Sequence, residues 1–246
     1  MAVELRSSEQ YGAFAALYDR LSPEERYERW AAFIDSRLTE LRGQARLVYE
    51  LGCGTGRLLA RLAGLGYHPA GMDASASMLD QARRRLGPLV PLYHDTLPRV
   101  PRPDAPVGAV LCVFDTLNYL PDLAAVRTAL IRARRLLVDG GPLICDTVST
   151  EVLLRCVTAA PSERLLGGQR ILASTTRERH AFFHRVEVLD DLGAGFTETH
   201  RQIGIGYQEF ANIAWAAGFR SAEAYDDYSS VVADSQSERI SWVLRP

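Results

Sequence analysis

Lysine is missing from the sequence: all 28 basic side chains of the 246-residue chain are arginine. Without an ε-amine there is no Schiff-base chemistry and no lysine to complete a phosphate-binding loop. Pyridoxal-phosphate enzymes and Walker-type nucleotide hydrolases are therefore excluded. No run approaches the roughly 18 apolar residues that a membrane span needs, and residues 1–10 hold no apolar stretch of an export signal. Cysteine is scarce, and the four residues, Cys53, Cys112, Cys145 and Cys156, follow no C-x-x-C spacing. That pattern argues for buried free thiols in a reducing compartment, so a cytoplasmic protein is expected. No H-E-x-x-H occurs and no metal is expected. Charge is nearly balanced, net -2 with the arginines spread along the chain, so the field that draws a nucleic-acid backbone is lacking.

What is present is enough apolar material, 47% of residues, for one α/β domain with a small appendage. Short apolar runs at 47–51, 68–72, 89–93, 107–114 and 142–146 read as buried strands. They alternate with amphipathic helical patterns at 57–65, 75–86 and 123–137. Ser75 reads as a helix N-cap, and Asp139-Gly140-Gly141 as a helix stop. Right-handed crossovers then give a doubly wound, mostly parallel sheet. Two helices, 9–21 and 23–41, precede it. After Val148, runs at 171–176, 181–189 and 196–203 alternate apolar and polar residues, the mark of antiparallel strands. A helix at 207–217 and strands at 221–225 and 240–244 complete a seven-stranded sheet. The chain thus divides into a helical cover (1–45), a cofactor-binding half (46–148), an antiparallel lid (150–206) and a C-terminal part (207–246) of one domain.

The most informative stretch is Glu50-Leu51-Gly52-Cys53-Gly54-Thr55-Gly56, a strand running into three alternate glycines and then a helix. Such a turn needs unusual φ values and leaves room for a ligand against the backbone. A dinucleotide fingerprint would require its third glycine at position 57, where Arg57 stands. Asp73 closes the second strand, where a carboxylate can accept both ribose hydroxyl protons, and Asp95 follows the next strand.

Here the sequence resembles the class I S-adenosylmethionine-dependent methyltransferases, whose D/E-x-G-x-G-x-G motif stands at residues 50–56. The resemblance implies a Rossmann-like fold and S-adenosylmethionine as cofactor, with S-adenosylhomocysteine as product. It implies that Glu50, Gly52, Cys53, Gly54 and Gly56 hold the methionine portion. Asp73, with Ala74 and Met78, would hold the ribose side, and Asp95 with Thr96 would face the adenine. Phe114 and Asp115 would close the site where the segment through Tyr119 opens toward substrate. Tyr11-Gly12-Ala13-Phe14-Ala15-Ala16-Leu17-Tyr18-Asp19 is similar to the Y-x-x-F-A-x-x-Y-D opening of small bacterial methyltransferases, in which Tyr11 and Tyr18 cover the cofactor. Tyr11, Phe14 and Tyr18 also fit a helix face packed on a core.

A base is often needed to unmask a nucleophile, and His180, His184 and His200 all fall in the lid. His200 is the candidate proton acceptor, since its strand resembles a substrate-facing Glu-x-His strand, and Tyr119 the candidate pocket-shaping catalytic residue. The function expected is methyl transfer to an oxygen or nitrogen of a small molecule. A tRNA or RNA methyltransferase lacking D/N-P-P-Y/F, and a non-catalytic module binding the cofactor, stay open. So does the choice between monomer and homodimer.

Overall fold

Residues 5–38, 46–234 and 236–246 are described by a computed structural model. In chain order its elements are β1 (Arg6–Ser7), α1 (Ala15–Leu21), α2 (Glu24–Leu38), β2 (Leu47–Leu51), α3 (Arg57–Gly64), β3 (His68–Asp73), α4 (Ala76–Leu86), β4 (Leu92–His94) and β5 (Ala109–Cys112). A 3-10 turn at Thr116–Tyr119, α5 (Leu123–Arg134), β6 (Leu143–Thr147) and α6 (Thr150–Thr158) come next. Then come β7 (Ser162–Leu166), β8 (Gln169–Glu178), β9 (Ala181–Leu189), β10 (Gly195–Ile203), α7 (Tyr207–Ala216), β11 (Ser221–Asp226) and β12 (Ile240–Arg245).

Seven strands form one sheet in the order β11-β12-β6-β5-β2-β3-β4. Strands β2 to β6 pair in parallel, and β12 returns antiparallel to β6. The runs with no polar alternation, β2, β5 and β6, are buried along their whole length, because helices cover both faces. On one face α5 and α7 bury Leu130, Ala133 and Phe210 against Trp242 and Leu244. On the other, Trp30, Ile34 and Leu38 of α2 pack with Leu58 and Leu62 of α3. Strand order reverses between β2 and β5, so a crevice opens beyond their carboxyl ends, where doubly wound folds take ligands.

The lid is a second sheet, in the order β1-β10-β9-β8-β7. Three of its strands fall where alternation places them; β7 and β1 do not announce themselves. β7 is exposed along nearly all its length and so shows no apolar face. β1 is two residues long, pairing in parallel with β10 at Phe196 and Thr197. The first residues of the N-terminal cover thus pair with the lid sheet. Leu17 of α1 packs with Ile171 and Val188 of the lid.

Other boundaries are corrected by local chemistry. The helix expected at 9–21 begins only at Ala15, because Tyr11 takes a left-handed φ of 55° and breaks the pattern. Of the helix expected at 23–41, Glu24–Leu38 is observed, and positions 39–41 lie outside the described residues. The third strand shrinks from 89–93 to Leu92–His94; Pro91, just before it, has no N–H for a ladder. His180 sits in the β8–β9 turn. Cys156 is exposed on α6, unlike Cys53, Cys112 and Cys145. The N-cap expected at Ser75 is formed, its hydroxyl accepting from the Met78 amide at 3.2 Å.

Trp242 is 1% exposed, lies 4.8 Å from the Phe210 ring, and donates from Nε1 to Thr147. Trp242→Ala is expected to cost roughly 3–5 kcal/mol in urea unfolding, the usual loss for a large aromatic core residue.

Candidate active site

β2 ends in a loop whose shape is set by its glycines. Gly52, at φ 76°, has Thr116 so close that an added Cβ would come within 2.6 Å of it. Gly54, at φ 53°, has nothing within 4 Å of where a Cβ would stand. One glycine thus lets the loop approach the 116–119 turn, and the other leaves an open cradle. Gly56 leads into α3.

Asp73, at the end of β3, fixes this loop. One carboxylate oxygen accepts the Gly54 amide and the other the Ser75 amide, both at 2.8 Å. Burial pushes its ionisation upward, against the pull of those two amides and of His94. Glu50, below the loop, is 2% exposed, and its Oε2 has no hydrogen-bond partner. Burial, with Asp73 nearby, raises its carboxyl well above the usual range. An unpaired buried oxygen beside an open glycine cradle fits a polar, donor-bearing ligand.

The N-terminal segment closes one side as a strap. Its Tyr11 carbonyl accepts from the Ser75 hydroxyl at 2.8 Å, while Glu198 of β10 accepts the amides of Tyr11 and Phe14 at 2.8 and 2.9 Å. Asp19 of α1 accepts from Thr55 at 2.6 Å, so the helix also grips the glycine loop. Arg57 adds its guanidinium, donating to the Asp19 and Ser22 carbonyls, pairing with Glu24, and stacking 4.1 Å from the Tyr27 ring centre.

The opposite wall comes after β5, where Phe114 and Asp115 adopt φ of 58° and 50°. Two successive left-handed residues that are not glycine cost on the order of 1–3 kcal/mol each. The buried carboxylate of Asp146 holds them, accepting the Phe114 amide at 2.9 Å and the Asp115 amide at 2.5 Å. Arg239 bridges Asp146 and Asp115 at 3.0 and 2.9 Å, and Tyr228 donates to Asp146 at 2.7 Å.

Between strap and wall lies a cleft of about 430 Å³. Gly52, Gly54, Asp73, Ala74, Met78, Asp95 and Thr96 are among its lining residues, together with Tyr11, Tyr18, Phe114 and Tyr119. Asp95 Oδ1 is taken by the Thr96 amide and Arg99. The Tyr11 and Tyr119 hydroxyls are hydrogen-bonded to each other at 2.7 Å.

Five residues singled out in the sequence do not line the cleft. Glu50 lies beneath it and Gly56 leads into α3. Cys53 packs its thiol on Leu59 and Leu79. Asp115 directs its carboxylate to Arg239 and Gln202. His200 is 4% exposed, with its ring 4.6 Å from that of Tyr11 and its Nε2 3.5 Å from Glu198, too long for a firm hydrogen bond.

Comparison with known proteins agrees with this layout. Residues 48–141 match the family model described as a methyltransferase domain. The chain carries a methyltransferase domain. A protein of Geobacillus sp. (strain WCH70), named provisionally as a methyltransferase, is 26% identical over 245 residues, covering 96% of this chain and 99% of its own. Among solved structures, an S-adenosylmethionine-dependent methyltransferase from Clostridium acetobutylicum ATCC 824 superposes with a TM-score of 0.80 at 20% identity, over 95% of this chain and 97% of its own. The sugar N-methyltransferase KedS8 from Streptoalloteichus sp ATCC 53650 does so at 0.77 and 22% identity, over 100% and 99%. These last two likenesses speak for the fold.

Sequence reasoning missed four residues on which the methyltransferase site leans: Asp146, Arg239, Glu198 and Gln202. Each lies far along the chain from the residue it holds; the signals were the charged residue at the end of a buried strand, Asp146, and the Glu-x-His spacing that contains Glu198.

Arg239→Met would leave Asp146 and Asp115 without their counter-charge, with an expected loss of roughly 3–5 kcal/mol in chemical denaturation. Glu198 gives a pH signature. Burial raises its carboxyl, but His200, the Phe14 amide, Ser8 and the Tyr11 amide outweigh that and hold it below the ordinary value. A lowered folded value adds stability that is fully present above the unfolded value, near 4.3, and lost as pH falls through the folded one. Glu198→Gln should therefore flatten the acid limb of stability below about pH 4.3, measured by unfolding at stepped pH.

Proposed function

We propose that this methyltransferase acts on a nitrogen or oxygen of a small molecule, with nitrogen favoured. The observation that carries the reading is the cleft itself. It runs from the Gly54 cradle and Asp73 to the paired hydroxyls of Tyr11 and Tyr119, so one cavity offers a cofactor end and an acceptor end.

When bound, S-adenosylmethionine supplies a sulfonium methyl, an electrophile that needs an aligned nucleophile more than an added catalyst. On our reading Gly52 and Gly54 give backbone access to the methionine portion, with Glu50 below. Asp73 takes the ribose, and Asp95 with Thr96 faces the adenine. Tyr18 and Phe114 exclude water along the sides, and Met78 and Ala74 cover the inner wall.

The acceptor end carries no strong base. Burial drives the ionisation of both Tyr11 and Tyr119 upward, so their phenols orient an acceptor and do not deprotonate it. His200 backs Tyr11 from outside the cleft lining, which makes it a support for that ring and removes it from direct reach of an acceptor proton. A neutral amine brings its own lone pair and needs no base, whereas a hydroxyl does. KedS8, with the same fold, is named a sugar N-methyltransferase. Against an RNA substrate, none of the 28 arginines is among the residues lining the cleft within the described chain.

Calorimetric titration with S-adenosylmethionine and S-adenosylhomocysteine should give binding that weakens about 100-fold in Asp73→Ala, through loss of the ribose contacts and of the Gly54 tether. With methyl-labelled cofactor, a panel of small amines should take label ahead of matched alcohols. Label in alcohols alone would reverse the nitrogen preference. Binding without transfer to any acceptor would favour the non-catalytic module.

A further inference from the structure

Among the described residues, no side chain of the lid lines the cleft, yet the inner face of β10 is polar. Glu198, His200 and Gln202 stand at alternate positions, each no more than 4% exposed. Glu198 and His200 serve the strap. Gln202 turns to the opposite wall, where its Nε2 donates to Asp115 Oδ2 at 2.5 Å.

That donation sets the direction of the neighbouring hydrogen bonds. With its amide nitrogen committed, Gln202 has its Oε1 left as an acceptor, and His184 of β9 meets it from Nε2 at 3.0 Å. His184 must then carry its proton on Nε2, leaving Nδ1 to accept the Thr175 hydroxyl of β8 at 2.9 Å. Thr175 and His184 are directly opposed in the β8–β9 ladder, while Gln202 is opposed to Phe182, so the His184–Gln202 bond runs diagonally across the sheet. The hydrogen bonds point one way, from β8 through β9 and β10 to Asp115. Apolar side chains would hold three strands together without desolvating polar groups, and a fully satisfied polar chain instead defines one arrangement.

Asp115 lies between Phe114 and Thr116, both on the cleft wall, and is one of the two left-handed residues there. We propose that Gln202 and His184 are positioning residues that couple the lid sheet to the Phe114–Tyr119 wall, so that filling the cleft is felt at His184. The inference rests on the proposed cofactor site, and S-adenosylhomocysteine is the probe for both.

The test is a titration of the ¹⁵N-labelled full chain with S-adenosylhomocysteine, monitoring the imidazole nitrogens of His184 beside calorimetry. The resting spectrum should show the Nε2–H tautomer, and saturation should shift it. Gln202→Met, of similar volume but unable to bond, should abolish the shift at ligand concentrations that calorimetry shows to be saturating for that variant. His184→Gln, which still donates to Gln202, should keep the ligand-induced shifts of the Phe114 and Asp115 amides near those of the wild type. If Gln202→Met fails to fold, Thr175→Val cuts the chain beyond His184; it should change the resting Nδ1 signal and preserve the response to ligand. A His184 signal unmoved at saturation, or moving equally in Gln202→Met, overturns the coupling. Absence of any binding heat with the wild type would instead sink the cofactor reading beneath it.

Discussion

One buried carboxylate carries the geometry of the site. Asp146, at 0% exposure, accepts two backbone amides from Phe114 and Asp115, a phenol from Tyr228 and an ion pair from Arg239. Burial alone would push this group toward its neutral form, and the Arg239 charge opposes that. With all of those partners present, two residues can be kept in left-handed backbone that they would not choose, and the 3-10 turn beyond them presents Thr116 to Gly52 and Tyr119 to Tyr11. Remove the anchor and the wall of the cleft loses its reason to be where it is.

The other wall is built by a different logic. The segment through Tyr11 has little regular structure of its own: β1 pairs only two residues, and α1 starts at Ala15. Its position comes from side chains reaching in from three directions, Glu198 from the lid, Ser75 from α4's N-cap, and the Thr55 and Arg57 pair from the glycine loop. Strap, loop and lid therefore behave as a set of mutual braces, and the lid influences the cleft through those braces without lining it.

The parts of this arrangement that are legible in the sequence are those made by neighbours in the chain. The glycine loop, Asp73 at the next strand end and Ser75 as a cap lie no more than 19 positions from what they act on, and their spacing exposes them. Tyr11 and Tyr18 are ambiguous in sequence, because a core-facing helix stripe and a cleft-facing one look alike, and the structure shows that Tyr11 is not in the helix at all. Gln202 and Arg239 stay invisible because their partners lie 87 and 124 positions away. His200 draws notice as a histidine, but whether an imidazole faces solvent, cleft or core depends on the register of a strand remote from any motif. Strand β7 shows the same limit from the other side, since pairing at a sheet edge leaves no apolar face to read.

Arg57 takes on a wider meaning once its contacts are seen. It occupies the place where a dinucleotide-binding loop would carry its third glycine, and it uses that place to grip the carbonyls of Asp19 and Ser22, the carboxylate of Glu24 and the ring of Tyr27. The loop is therefore one half of a joint whose other half is α1 and the start of α2. In recombination between relatives, or in grafting this loop onto another scaffold, the two halves form a single inheritable module: a crossover placed between residues 24 and 50 would separate a socket from its pin.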